Sequence, residues 1–146
     1  MPITAEATIS TDSFSAAGLV PSVERLDHLA RHRNDEAAWF AEVEANLLDF
    51  QAALSDHTRS IVEDDLYHDA MWRAPRIVIQ VRRLGAECFK LDELSALSLA
   101  SVHTPARSAA TVAETLVQIV HLADRHESRA LDIDYEAYCV DLGGQG

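Results

Sequence analysis

The sequence predicts an all-α fold, arranged as an up-down-up-down antiparallel four-helix bundle. The chain has 146 residues, of which 48% are hydrophobic, and this is enough for one domain with its own core. It contains only 5 Gly, 4 Pro and 6% aromatic residues, which argues against a turn-rich β-sandwich. Apolar residues also recur at steps of three and four along separate stretches, the spacing of one helix face.

The N-terminal part is expected to contain a flexible arm and one short helix. Residues 1–18 are rich in Ser, Thr and Ala and have no sustained period, so we expect a loosely ordered arm before a bundle domain at 19–146. Val23, Leu26 and Leu29 then form an apolar stripe, with Ser22 before it as N-cap. This pattern predicts a helix from Ser22 to about Arg33.

The second helix has the clearest pattern of the four. Asn34 and Asp35 supply a cap residue and an acidic charge at the start. The stripe that follows, at steps of three or four, consists of Trp39, Val43, Leu47, Phe50, Leu54, His57 and Ile61.

The third helix is expected to begin near Asp69 or Met71, because Pro75 is tolerated in a first turn. Its buried stripe consists of Ile77, Val81, Leu84, Cys88 and Leu91. We expect this helix to fray among three serines, namely Ser95, Ser98 and Ser101.

The fourth helix is predicted to start at Thr104 and Pro105, which read as an N-cap and a first-turn proline. Its stripe consists of Val112, Leu116, Ile119, Ala123, His126, Ala130 and Ile133. The chain ends in glycines that disfavour helix, so Tyr135–Gly146 is expected to be a tail folded back on the bundle.

Charge and composition limit the classes of partner. The net charge of −12 opposes general electrostatic binding to nucleic acid or to anionic membranes, although a protein partner is compatible with it. Residues 1–6 lack the basic start and apolar run of a signal peptide, and no 18 apolar residues are consecutive. We therefore expect a cytoplasmic protein in which Cys88 and Cys139 are free thiols.

Three of the predicted stripes carry one residue each that can bind a metal: His57, Cys88 and His126. Metal sites in helical bundles are built from such inward-pointing ligands on different helices. The same residues can equally be packing residues, because core histidines are often hydrogen-bonded to neighbours and buried cysteine behaves as a small hydrophobe. The stripes alone leave both interpretations open.

A centre with two metal ions also needs bridging carboxylates. Glu87 precedes Cys88 by one position, so we expect it to point about 100° away around the helix. Ile61 stands one turn beyond His57, where a carboxylate could share the metal. The pattern therefore argues against a complete two-metal centre.

Several short motifs accompany these residues. They are His28, Leu54–His57, Asp65–Tyr67, Pro75–Ile77, Arg83–Cys88, and an ending formed by His126 and Asp132–Gly144. In these motifs the chain resembles the hemerythrin-like, or HHE cation-binding, family, in particular its bacterial branch of short cytoplasmic domains. The resemblance extends from about His28 to Gly146, and the ending is its most specific part. Members with a full site use histidines and carboxylates of four antiparallel helices to hold a di-iron centre that binds oxygen, or to store or sense iron, oxygen or nitric oxide.

The resemblance implies roles for individual residues. His57 matches the second-helix histidine and His126 the fourth-helix histidine, whereas Cys88 stands where the family has histidine after glutamate. His28 lies at the first-helix position, but helical phase turns it away from the apolar stripe, so it is a weak ligand candidate. Ile61 and Ala130 offer no carboxylate.

These observations predict a non-catalytic binding or sensing domain with an incomplete, single-metal site formed by His57, Cys88 and His126. The cofactor stays open between iron, zinc and no metal, and a thiolate ligand favours zinc or copper over ferrous iron. The main alternative is a metal-free protein-interaction module on the same fold. A di-iron oxygen-binding protein or oxidase is the third hypothesis.

Overall fold

The computed structural model describes residues 14–63 and 75–144, with side chains described to position 61 in the first range and to 136 in the second. These residues form a short 3₁₀ turn, Ala17–Leu19, and four α-helices, with no strand among them. The helices are α1 (Val20–Arg31), α2 (Ala37–Glu63), α3 (Pro75–His103) and α4 (Ala109–Gly144). The prediction of an all-helical fold with four helices is confirmed.

The four helices share one apolar core. Helix α1 packs against α2 and α4, and α3 also packs against α2 and α4. The core side chains without exposed surface come from the predicted stripes and include Leu26, Leu47, Phe50, Leu84, Leu91, Leu116 and Ile119. Burying each such side chain contributes about 1.5–3 kcal/mol, so these stripes are the main source of stability. None of the helices within the described ranges combines the length and apolarity that crossing a membrane requires.

The connection between α1 and α2 is set by polar contacts. The indole Nε1 of Trp39 donates to the carbonyl oxygen of Leu29 at 3.0 Å, which joins the end of α1 to the start of α2. The side chain of Asn34 accepts from the backbone N–H of Glu36 at 2.9 Å. The predicted cap residue Asn34 thus forms a local turn just before the helix.

The predicted limits of α3 and α4 need correction. Helix α3 does not fray at its serines but continues to His103, because Ser95 and Ser98 are fully buried and hydrogen-bonded. Ser98 donates to Thr115 on α4 at 2.5 Å. The predicted start of α3 near position 69 or 71 lies outside the described residues.

Helix α4 begins at Ala109 and not at Pro105. The carbonyl oxygen of Thr104 accepts from the N–H of Arg107 at 3.2 Å, so Thr104 starts a turn instead of a helix. The carboxylate of Asp35 accepts from the N–H of Ala109 at 3.4 Å, which brings a negative charge to the helix N-terminus. Ser108 also caps this end, because its hydroxyl accepts from the N–H of Thr111 at 3.5 Å, so a local cap and a contact from a distant part of the chain act together.

The predicted tail is part of α4. Tyr135 lies within the helix, which continues to Gly144, and its side chain is 70% exposed. Extending an existing helix costs little even through glycine, about 1 kcal/mol for each, whereas starting a new structure would cost more. The prediction of a tail folded back from Tyr135 is therefore wrong within the described residues.

Part of the predicted arm, Phe14–Ala16, packs against the helices. Phe14 is 1% exposed and belongs to the core, and its N–H donates to Asp134 at 2.8 Å. Glu127 accepts from the N–H of Ala16 at 2.7 Å and from the hydroxyl of Ser15 at 2.9 Å. The expected boundary at residue 18 is thus too late, since the packed chain already includes Phe14. Residues 1–13 lie outside the described residues.

Candidate metal centre

His57, Cys88 and His126 meet in the interior of the protein, each contributed by a different helix. His57 lies on α2, Cys88 on α3 and His126 on α4. Each is one step of three or four residues from buried apolar neighbours on its own helix. Those neighbours are Leu54 and Ile61 on α2, Leu84 and Leu91 on α3, and Ala123 and Ala130 on α4. The stripe periodicity is what turns the three side chains inward.

The three side chains form a compact cluster of ligand atoms. One such atom from each residue lies within 4.8 Å of the others. Nε2 of His57 is 2.9 Å from Nε2 of His126, and Sγ of Cys88 is 3.7 Å from the same nitrogen. In a tetrahedral zinc site the usual bond lengths would separate two nitrogens by about 3.3 Å and a nitrogen and a sulfur by about 3.6 Å. The two distances to Nε2 of His126 are therefore within a few tenths of an ångström of those in a zinc site, and the third pair, His57 and Cys88, lies within 4.8 Å and would move closer around an ion.

Access to the cluster is uneven. His126 has no exposed surface and Cys88 is 1% exposed, which confirms the expectation of burial for these two residues. His57 is only partly buried, so the same expectation is too strong there. The side of the cluster formed by His57 is its route to solvent.

A carboxylate holds the far side of the His126 ring. Nδ1 of His126 lies 3.0 Å from Oε1 of Glu87, and the guanidinium of Arg129 donates to Oε2 of the same carboxylate. An ionised carboxylate only accepts hydrogen bonds, so Nδ1 carries the proton and donates it to Glu87. Nε2 of His126 is then left with a free electron pair directed at the cluster, the arrangement common for metal-bound histidines.

Sequence reasoning missed Glu87 as a member of this site. The prediction that it points away from Cys88 is compatible with its position, but α4 lies on that side of α3, so its carboxylate meets His126 and Arg129. Arg129, one turn after His126, was the signal in the sequence that could have indicated Glu87, because a guanidinium near that face needs a carboxylate partner.

Burial controls the protonation of all three cluster residues. Burial, together with a smaller effect of the nearby His126, lowers the pKa of His57 to about 4. Burial also lowers the pKa of His126, against the opposing effect of the Glu127 carboxylate. Burial raises the pKa of the Cys88 thiol, which a hydrogen bond with Thr58 partly offsets. At neutral pH both imidazoles are therefore neutral, as metal ligation requires, while the thiol must lose its proton when a metal binds.

Without a metal, the cluster is a chain of hydrogen bonds. Because the proton of His126 is on Nδ1, the contact of 2.9 Å requires His57 to donate from Nε2 to Nε2 of His126. Every buried side-chain nitrogen and oxygen among the described residues has a partner in this way. The polar atoms are thus satisfied in the metal-free state as well.

The order Cys88, His126, Glu87 also matches that of a nucleophile, a base and an orienting carboxylate. Two features oppose this use. Cys88 is 1% exposed, so no substrate reaches its sulfur, and burial raises its pKa, so the reactive thiolate is disfavoured. Nε2 of His126 is moreover engaged by His57. The arrangement suits metal ligation better than nucleophilic catalysis.

The remaining candidates lie elsewhere. His28 is exposed and stacks on His32 with 4.2 Å between ring centroids, in agreement with its low rank as a ligand. Ile61 is 3% exposed and packs in the core, so it offers the cluster no ligand. The side chain of Cys139 lies outside the described side chains.

Comparisons of the chain with known proteins found no relative. No protein-family model, curated protein or solved structure matches the chain. The resemblance to the hemerythrin-like family therefore stays a prediction from the sequence motifs. The geometry of His57, Cys88 and His126 is what supports a function.

Proposed function

We propose that this protein binds a single metal ion through His57, Cys88 and His126 and acts as a binding or sensing domain, not as an enzyme. The observation that carries the proposal is that three ligand atoms from three helices lie within 4.8 Å of one another. The carboxylate that orients His126 adds to it, because such a partner accompanies most metal-bound histidines.

The ligand set indicates which metal fits. Two imidazoles and one thiolate suit zinc or copper better than ferrous iron. Three protein ligands leave a fourth tetrahedral position for water or a small ligand, on the partly exposed side formed by His57. Zinc is our first choice and iron the second.

A pair of irons is the less favoured occupant. Such a centre needs carboxylates that bridge both ions. The positions one turn after His57 and after His126 are Ile61 and Ala130, both of them apolar and buried. We therefore assign the chain to a hemerythrin-like fold whose site has been reduced to one metal, and not to di-iron oxygen carriers or oxidases.

We also infer an antiparallel up-down-up-down order of the helices. Between α2 and α3, Gln51 contacts Ser95 at 3.0 Å, while His57, further along α2, shares the cluster with Cys88, which precedes Ser95 on α3. Between α3 and α4, Ser98 contacts Thr115, whereas Cys88, earlier on α3, contacts His126, later on α4. Positions that rise on one helix as they fall on the next favour antiparallel neighbours, as the family resemblance implies.

Zinc titration of metal-free protein tests the proposed site. The protein, made without an affinity tag and stripped by a chelator, should bind one zinc ion per chain in competition with a chromophoric chelator. Cys88→Ser should weaken binding at least about tenfold, because one of three ligands is lost. Cys139→Ser, the same change at the other cysteine of the sequence, should bind zinc as the wild type does. Equal affinities for wild type and Cys88→Ser would contradict the proposal.

A metal-free interaction module is the second candidate, and one observation favours it. The buried polar atoms of the described residues are hydrogen-bonded without an ion, so His57 and His126 need no metal to be stable in the core. Large apolar side chains such as Ile79 and Phe89, 63% and 67% exposed, could then serve a protein partner. Identical thermal melts with zinc and with chelator would favour this candidate.

A further inference from the structure

We propose that Glu87, held in place by Arg129, is a positioning residue that fixes the orientation and tautomer of His126 and thereby sets the metal affinity of the site. The part that concerns affinity rests on the proposed function. The part that concerns the tautomer applies to the metal-free protein as well. The two parts can therefore be tested separately.

The contacts of the Glu87 carboxylate leave it little freedom. Its side chain is 10% exposed, and each of its oxygens has a different partner. Oε1 accepts from Nδ1 of His126 at 3.0 Å, and Oε2 accepts from Arg129. A buried charge is stable only when it is paired and hydrogen-bonded, so the carboxylate is held by both partners together.

Arg129 connects this carboxylate to the surface. Its side chain is 32% exposed, compared with 10% for Glu87 and none for His126. Because Arg129 stays charged, it favours the ionised form of Glu87, and the ionised form can only accept a hydrogen bond. The proton of the neutral His126 ring therefore lies on Nδ1.

The consequence for the metal site concerns Nε2 of His126. With the proton on Nδ1, Nε2 has a free electron pair 2.9 Å from His57 and 3.7 Å from Cys88. If Nδ1 had no acceptor, the proton could move to Nε2, and that nitrogen could then not bind a metal. Removal of such an orienting partner typically weakens metal binding by about 10–100-fold.

A purely structural role for Glu87, as an ion pair between α3 and α4, predicts different results. Loss of the pair would lower stability but would leave the His126 tautomer and the zinc affinity of the folded protein unchanged. The decisive measurements are therefore the zinc affinity and the ring-nitrogen NMR shifts of His126. Both should be recorded at a temperature where circular dichroism shows every variant to be folded.

Two substitutions separate the charge of Glu87 from its role as acceptor. Glu87→Ala removes the acceptor and should weaken zinc binding by about 10–100-fold, with a change in the tautomer of His126. Glu87→Gln keeps a carbonyl oxygen that can accept from Nδ1, so the tautomer should be retained and the affinity should fall less than about tenfold. Glu87→Gln also keeps the test available if Glu87→Ala does not fold.

Glu127→Gln is the matched control. Glu127 follows His126 on α4, but its carboxylate accepts from Ser15 and Ala16 and does not contact the ring. This change should lower the melting temperature and leave the tautomer of His126 as in the wild type, with a smaller loss of zinc affinity than Glu87→Ala.

Wild-type affinity together with a wild-type tautomer in Glu87→Ala would overturn the inference. A wild-type protein that binds no zinc would contradict the proposed function instead. In that case the tautomer in metal-free wild type and Glu87→Ala still decides whether Glu87 positions His126.

Discussion

A line of polar contacts crosses the core from one partly exposed side chain to another. It begins at the guanidinium of Arg129, continues through Glu87 and His126, and ends at His57. Each contact fixes the proton of the next residue, since the carboxylate only accepts and each neutral imidazole has one donor. Cys88 lies beside this line, 3.7 Å from His126. At the scale of residues, protonation and metal ligation are therefore parts of the same geometry.

The first prediction at this scale concerns Cys88 in the absence of metal. Cys88→Ser places a hydroxyl group in a site that is 1% exposed, where it is poorly satisfied. The free energy of unfolding, measured in urea with chelator present, should fall by about 1–2 kcal/mol. A larger loss in metal-free protein would show that the cysteine has a structural role beyond packing.

A second prediction concerns pH and His57. Burial lowers its pKa to about 4 in the folded protein, from 6.5 ordinarily. Between these values the unfolded chain binds a proton that the folded protein does not. The contribution of neutral His57 to the free energy of unfolding is therefore full above about pH 6.5 and declines as pH falls toward 4. The decline should be at most about 1.4 kcal/mol for each pH unit from this residue.

Denaturation of metal-free wild type and His57→Asn between pH 7 and pH 4.5 tests this assignment. The variant should lose less stability on acidification than the wild type does, because it lacks the titrating ring. The same pH dependence in both proteins would mean that His57 does not contribute.

Among these residues, the sequence was sufficient to place His57, Cys88 and His126 on the inner faces of their helices. It was insufficient to predict the contacts of Glu87. The first three follow from the period of their own helices, which turns them to the core. The position of Glu87 depends on which neighbouring helix lies beside that face of α3, and periodicity within one helix does not contain this information. The partial exposure of His57 was missed for the same reason.

At the scale of elements, the short N-terminal segment Phe14–Ala16 is fastened to α4 at both Glu127 and Asp134. Phe14 fills the core beside it and is 1% exposed. The segment therefore acts as a fixed part of the folded unit, although its composition predicted a flexible arm.

Phe14→Ala tests this contribution. Removing a fully buried ring should cost about 3–5 kcal/mol of unfolding free energy. Phe89→Ala is the matched control, since Phe89 is 67% exposed and its loss should change stability by no more than about 0.5 kcal/mol. Similar melting temperatures for the two variants would contradict the packing of Phe14.

Helix interiors were predictable, whereas several helix ends were not. At the start of α4, the N–H of Ala109 is bonded to Asp35, which is 74 positions away along the chain. The serines of α3 suggested fraying, but Ser98 is satisfied by Thr115 of the neighbouring helix. Both contacts come from distant parts of the chain, and such contacts are not encoded in a local pattern.

At the scale of the whole molecule, the all-helical fold follows from composition and periodicity, since apolar stripes of three to four residues per step can be buried only by packing helices together. The net charge of −12 adds a long-range effect, because a negative field raises the local concentration of cations. A metal at the cluster would also connect α2, α3 and α4 through ligands that span 69 positions of the chain, from His57 to His126.

Zinc should therefore stabilise the entire fold. At a free zinc concentration of 100 times Kd, binding to the folded state adds about 2.7 kcal/mol, and for a chain of this size this raises Tm by roughly 5–10 °C. The thermal melt of wild-type protein with zinc should lie above that with chelator by this amount. In Cys88→Ser at the same zinc concentration the difference should fall to about half or less, because binding that is tenfold weaker adds only about 1.4 kcal/mol. A difference of wild-type size in the variant would place the zinc elsewhere.

Cobalt titration tests the central claim most directly, because Co²⁺ takes zinc sites and reports its ligands by colour. Chelator-treated wild-type protein should develop a thiolate-to-cobalt charge-transfer band that saturates at one ion per chain, together with the visible bands of tetrahedral Co²⁺. Cys88→Ser should lack the charge-transfer band and Cys139→Ser should retain it. No charge-transfer band in the wild type, or saturation only at two ions per chain, would contradict a single-metal site formed by His57, Cys88 and His126.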